Sequence, residues 1–269
     1  MSRRGWASIA VATVVNAVFV TTVIAIDDAG AGSAGHDSGT RPRVRTVVDR
    51  AAATTTTYRP DPVQVTPTPT TPEAQVEHGT APVVSRVDTT DRVVFITIDD
   101  GLIRDPAVID TIRRMDVPVS LFLVEGLAEQ GQDYFRELIA LGASVHSHTT
   151  SHEDLRGLGW SAQATEICDP ADTITELFDQ RATLFRPPYG AYDETTQAVA
   201  GYCGYDAVVA WAGAANDGRI DLQAGALQPG DIILFHFRTD LAQNLEVLEQ
   251  MSRDQGFRIG RLEDYLVSS

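Results

Sequence analysis

The chain has 269 residues and a net charge of −16, and all 21 of its basic residues are Arg. The absence of Lys excludes Schiff-base chemistry, a lysine nucleophile and the phosphate loop that requires Lys. Residues 88–269 hold 13 Arg against 30 acids, a balance that repels nucleic acid and suits a neutral or cationic partner such as a sugar polymer.

In chain order, Arg3 and Arg4 come first, and residues 6–26 follow without a single charge. A bilayer is crossed by about 20 apolar residues, whereas a signal-peptide core has about 7–15. An uncleaved membrane anchor is therefore expected over 1–26, although Ala29-Gly30-Ala31 has the small-x-small form of a cleavage site. Either form places the remainder outside the cytoplasm, at the cell envelope. Residues 27–87 include Thr54 to Thr57 and the run Thr-Pro-Thr-Pro-Thr-Thr-Pro at 66–72. Such Pro/Thr density cannot build a core and reads as a disordered stalk.

The folded domain is expected over 88–269. Strand-like runs fall at 93–98, 119–124, 144–146, 184–186, 207–210, 232–235 and 257–259. Helical spacing marks 106–115, 127–141, 162–180, 194–201 and 241–253. Alternation of this kind predicts an α/β fold with a parallel sheet. About 180 residues is short of the roughly 250 of an eight-unit barrel, so a reduced or distorted barrel is expected, with function at the strands' C-terminal ends. Cys168 and Cys203 are the only cysteines. Outside the cytoplasm they form a candidate disulfide, with two buried thiols as the alternative.

The stretch Thr97-Ile98-Asp99-Asp100-Gly101 closes the first of these strands. Strand alternation predicts that the two carboxylates face apart, so that one can bind a metal while the other stays free as a base. A strand-end turn or helix N-cap is the alternative. His148 and His152, four residues apart, can share a metal, and Asp100 completes a set of two His and one carboxylate with open positions. Zinc is the first choice, with cobalt, nickel and manganese behind it. Arg186-Pro187-Pro188-Tyr189-Gly190 is a rigid turn whose Arg can pair with a carboxylate. His236 ends the run Leu234-Phe235-His236, and Trp211 follows another strand as core or pocket wall.

In order and spacing these motifs resemble the polysaccharide deacetylases of the NodB-homology type, carbohydrate esterase family 4. The resemblance covers about residues 88–269. It implies a distorted (β/α)7 barrel and metal-dependent removal of acetyl groups from sugars. Carried over by position, Asp100, His148 and His152 would hold the metal. Asp99 would be the base, oriented by Arg186. The Tyr189 N–H would receive the oxyanion, and His236 would be the acid. The family's fourth motif departs: Trp211-Ala-Gly-Ala-Ala-Asn216-Asp217 lacks the usual Asp-Trp pair, leaving Asp217 as the candidate acid beside His236. His146 is expected to pack or to support the metal site. Peptidoglycan is the first substrate expected, then chitin and acetylxylan; no nucleic-acid or protein partner is expected. A silent wall-binding module and a small-molecule amide hydrolase are the competing readings.

Overall fold

The computed structural model describes residues 79–266. The expected anchor, and the stalk up to residue 78, lie outside the described residues. Among the described residues no helix is long and apolar enough to cross a membrane.

The elements run β1 (Val83–Val84), β2 (Val93–Asp100), α1 (Pro106–Met115), β3 (Ser120–Leu123), α2 (Glu125–Gln130), α3 (Gln132–Ala140), β4 (Ser144–Ser147), α4 (Trp160–Phe178) and β5 (Leu184–Phe185). After a 3-10 turn at Pro188–Gly190 come α5 (Glu194–Tyr202), β6 (Ala207–Val209), β7 (Gly213–Asn216), β8 (Arg219–Leu222), β9 (Ile232–His236), α6 (Leu241–Gln255), β10 (Arg258–Gly260) and α7 (Glu263–Leu266). The strands lie in the order β1-β6-β5-β4-β3-β2-β9-β7-β8, with β10 also on β2. All pairings are parallel except the β7–β8 hairpin. This is the α/β half-barrel of the predicted class.

β2 is central, and its first seven residues are buried, as expected for a parallel strand covered on both faces. Ile96 and Ile98 pack outward beneath helices, in a cluster with Ile112, Phe135 and Phe235. Phe95 turns inward, in a second cluster with Phe122, Leu184, Val209 and Ile232. Thr97 and Asp99 continue that inner row toward the C-terminal mouth.

Four expectations need correction. The folded unit begins before residue 88: β1 pairs with β6, and Ala81 and Val87 are buried. The helix expected over 127–141 is two helices broken at Gly131, where a Cβ would meet the Phe135 ring at 2.5 Å and the Arg104 side chain at 2.7 Å. The β7–β8 hairpin was not expected, because Gly-Ala-Ala-Asn has no strand composition. Its signal is Asp217-Gly218, a two-residue turn with φ of 49° and 73°, the pairing that type I′ turns require. The same turn does not bring Asp217 onto His236, whose Nδ1 has no hydrogen-bond partner. Asp217 is an exposed turn residue whose N–H donates to Asp240 Oδ2 at 2.8 Å.

Cys168 of α4 and Cys203 at the end of α5 are bonded, with their Cα atoms 5.2 Å apart. The bond ties together two helices that flank the site's loops.

Candidate metal-dependent active site

Asp99 and Asp100 end β2, His148 follows β4, Arg186 follows β5 and His236 ends β9. All therefore reach the same mouth. Asp99 stands directly opposite His236 in register.

The two aspartates do not face apart. Asp100 takes φ 76°, and this left-handed twist swings its carboxylate back over the mouth. His148 Nε2 is consequently 3.6 Å from Asp99 Oδ2 and 3.5 Å from Asp100 Oδ1, and His152 Nε2 is 3.3 Å from Asp100 Oδ1. Each carboxylate nevertheless has its own nearest partner: Arg186 for Asp99 and His152 for Asp100.

Asp99 belongs to Arg186. The guanidinium is fully buried, and its Nη1 donates to Asp99 Oδ1 at 2.7 Å and to Thr97 Oγ1 at 2.9 Å. Nε donates to the Val209 carbonyl at 3.0 Å and Nη2 to that of Ala210 at 3.2 Å. The plane lies 4.3 Å over the Phe122 ring. A buried charge of this size is tolerated only when paired and hydrogen-bonded throughout. Burial lowers the Arg186 pKa, and Asp99 opposes that shift. Thr97 was missed in the sequence; its place two residues before Asp99, on the same strand face, was the available signal.

Asp100 belongs to the imidazoles. Burial favours its neutral form, but His148 and His152 outweigh this and hold it well below the usual carboxylate range. The same contact with Asp100 raises the pKa of His152 against the effect of burial. Asp100 Oδ1 is buried and has no well-aligned hydrogen bond, although both imidazole Nε2 atoms lie within 3.5 Å of it. One ligand atom each from Asp100, His148 and His152 lies within 4.8 Å of the others. An orphaned anionic oxygen facing two imidazole nitrogens is the donor set a divalent ion takes. His148 Nδ1 is 2.7 Å from the Arg186 carbonyl. That contact requires the proton on Nδ1 and turns the Nε2 lone pair toward the cup.

His236 is half-buried, and its Nδ1 is buried without a partner. Burial pushes its pKa down, against the attraction of Asp99 and Asp100. The unpartnered nitrogen fits the departure in the fourth motif, since Asp217 lies in the hairpin turn and does not bond it. Pro187 and Pro188 are buried, and Tyr189 sits at φ 60° and is 70% exposed. The Tyr189 ring packs edge-on against His152, 4.9 Å between centroids. Trp211 packs on the turn that carries Tyr189: a Cβ at Gly190 would meet its ring at 2.9 Å. His146 is not in the cup. It packs on Phe122 and binds Glu263 at 2.6 Å, lower in the interior.

This arrangement can be compared with known proteins. A sequence model of the family described as polysaccharide deacetylase matches residues 86–208. An uncharacterized protein of Streptomyces coelicolor is 41% identical over 192 residues, 69% of this chain and 77% of that protein. The chitooligosaccharide deacetylase of a Bradyrhizobium species is 25% identical, over 62% of this chain and 80% of the enzyme. A family 4 carbohydrate esterase from Bacillus anthracis shares the fold, with a TM-score of 0.60 at 23% identity over 68% of this chain and 86% of that one. The chain belongs to the polysaccharide deacetylase family, a family of hydrolases.

Proposed function

We propose that this protein is a metal-dependent deacetylase, with its domain a distorted (β/α)7 barrel held outside the cytoplasm by the N-terminal anchor and stalk. It hydrolyses acetamido groups of a polysaccharide, peptidoglycan first. The observation that carries the reading is the separation of two adjacent carboxylates, Asp99 on Arg186 and Asp100 on two imidazoles. The peptidoglycan assignment rests on the expected anchor and stalk, which would present an acidic domain to the cell's own wall.

Asp100, His148 and His152 would hold the ion, zinc by preference. A bound divalent ion supplies Lewis-acid polarisation of the acetyl carbonyl and acidifies water. The chain's own groups do the rest. Asp99 takes a proton from the attacking water on Oδ2, because Oδ1 is engaged by Arg186. The water oxygen bonds to the acetyl carbon, and the carbonyl oxygen's charge is met by the N–H of Tyr189 in its left-handed turn. The C–N bond breaks as His236 gives its proton to the departing amine, and acetate is released. Trp211 and Tyr189 flank the sugar.

The test is acetate release by the full chain from acetylated peptidoglycan, chitin oligomers and acetylxylan, with and without a chelator. Chelator-sensitive release from peptidoglycan is expected. Release that ignores the chelator would remove the metal from the mechanism, and none from any glycan would leave the wall-binding reading.

A further inference from the structure

α4 contains a proline, Pro170, well inside its length. Proline has no N–H, so the carbonyl four residues back, that of Glu166, loses its helical partner. That carbonyl is taken instead by the N–H of Thr150, at 3.1 Å. The Glu166 side chain engages the next residue: its carboxylate oxygens accept the Ser151 N–H and the Ser151 hydroxyl, each at 2.9 Å. The Thr150 hydroxyl reaches the Thr165 carbonyl at 3.4 Å. Two residues of the loop between His148 and His152 are thus fastened to one turn of α4.

This loop needs fastening. Thr149 has φ 71° and His152 φ 63°, conformations that β-branched and bulky side chains adopt only when held. Within the loop, Thr149 Oγ1 accepts the His152 N–H at 2.9 Å. The His152 ring then lies 5.0 Å from the His148 ring, centroid to centroid, with Nε2 on Asp100. The 149–151 backbone has one further tie to a helix, the Thr149 carbonyl accepting the Glu125 N–H at the start of α2 at 3.1 Å, and that tie leaves Thr150 and Ser151 to α4.

We propose that Pro170 and Glu166 are positioning residues for His152. The helix gives up one internal hydrogen bond so that a backbone carbonyl and a carboxylate can lock the left-handed loop that presents this imidazole. The proposal rests on the reading of Asp100, His148 and His152 as metal ligands. Neither residue touches the ion or the substrate. A proline serving only to bend α4 over the sheet would leave the loop's hydrogen bonds without consequence.

Pro170→Ala separates the two roles. It restores an N–H that competes with Thr150 for the Glu166 carbonyl, while giving α4 a better helix former. Zinc titration of the metal-free full chain should then show affinity weakened about tenfold or more, the usual effect of losing a ligand's support. The Tm of the metal-free chain should hold or rise, and the Thr150 amide should exchange faster. Glu166→Ala should weaken zinc similarly, and Glu166→Gln, which keeps an acceptor for the Ser151 N–H, should recover much of the loss. The proposal is overturned if Pro170→Ala and Glu166→Ala both bind zinc within about twofold of the parent. It is also overturned if affinity and Tm fall together in Pro170→Ala, since the proline would then act through the fold. A parent that binds no zinc would sink the ligand assignment instead, and Thr150 exchange in Pro170→Ala would still decide whether the helix pins the loop.

Discussion

Glu263 is one of the carboxylates that tie the stability of this domain to pH. It begins α7 and reaches the interior below the active site. Its Oε1 accepts from Ser120 Oγ at 2.7 Å and Ser144 Oγ at 2.5 Å, and it meets His146 Nε2 at 2.6 Å. Burial raises its pKa, but His146 and the two hydroxyls outweigh this and bring it from 4.5 down to about 2. The side chain is only 17% exposed, so solvent screening is slight. At about 1.4 kcal/mol per pKa unit, the shift corresponds to about 3 kcal/mol of folding stability. Charge-assisted hydrogen bonds of about 1.5–3 kcal/mol each, less the desolvation they must offset, give the same order. The folded-state pKa lies below the unfolded one. The contribution is therefore complete above pH 4.5 and is lost as the pH falls toward 2. Glu263→Gln keeps the shape and removes the charge. Urea unfolding of both proteins, followed by circular dichroism at pH 7, 5, 4 and 3, should give a gap of about 3 kcal/mol at pH 7 that narrows below 4.5. A gap that stays constant down to pH 3, or one under about 1 kcal/mol at pH 7, refutes the reasoning.

The ligand set predicts that the protein binds about one divalent ion, and that His148→Ala and His152→Ala each abolish this binding; full occupancy in either variant, measured by metal analysis after dialysis, contradicts the assignment. Asp100→Asn should weaken metal affinity, whereas Asp99→Asn should keep the ion and slow acetate release by about 10²–10⁴. Reversed behaviour of the pair would exchange their roles. Replacing Cys168 and Cys203 by Ala opens a bridge between residues 35 apart and should cost about 4 kcal/mol of unfolding free energy in urea. Equal midpoints would show that the bridge contributes nothing to stability.

The buried strands were legible because their sequences are runs of branched and aromatic residues, and β2, α1 and α4 lie within about two residues of their expected bounds. Position in the chain also exposed the cup, since Asp99, His148, Arg186 and His236 each fall at a strand's C-terminal end. What could not be read was long-range or conformational. Nothing local announces that Arg186 bonds Thr97, 89 residues away, or that Glu263 closes on His146 across 117. The alternation argument failed at Asp100 because it assumes extended backbone, and one left-handed residue cancels it. Asp217, carried over from the family's fourth motif, went astray because a residue in a hairpin turn answers to the turn's torsions first.

The unusual torsions have a distribution that bears on how the site works. Seven described residues other than glycine have positive φ. Asp116 and Asp179 are helix C-caps whose N–H groups bond back to the Ile112 and Thr175 carbonyls, and Asp217 belongs to the hairpin. Local geometry accounts for those three. The other four are Asp100, Thr149, His152 and Tyr189, and all stand around the same cup. Each such torsion costs on the order of 1–3 kcal/mol, a sizeable share of the roughly 5–15 kcal/mol that holds a domain together. The strain is borne by rigid surroundings: a buried β2, an Arg186 bonded on every side, and a loop tied to α4. Relaxed torsions would move the Asp100 carboxylate off the imidazoles, turn His152 away and redirect the Tyr189 N–H. The strain is therefore the means by which a parallel sheet, whose pleat would send Asp99 and Asp100 apart, brings both carboxylates to the same imidazole, His148.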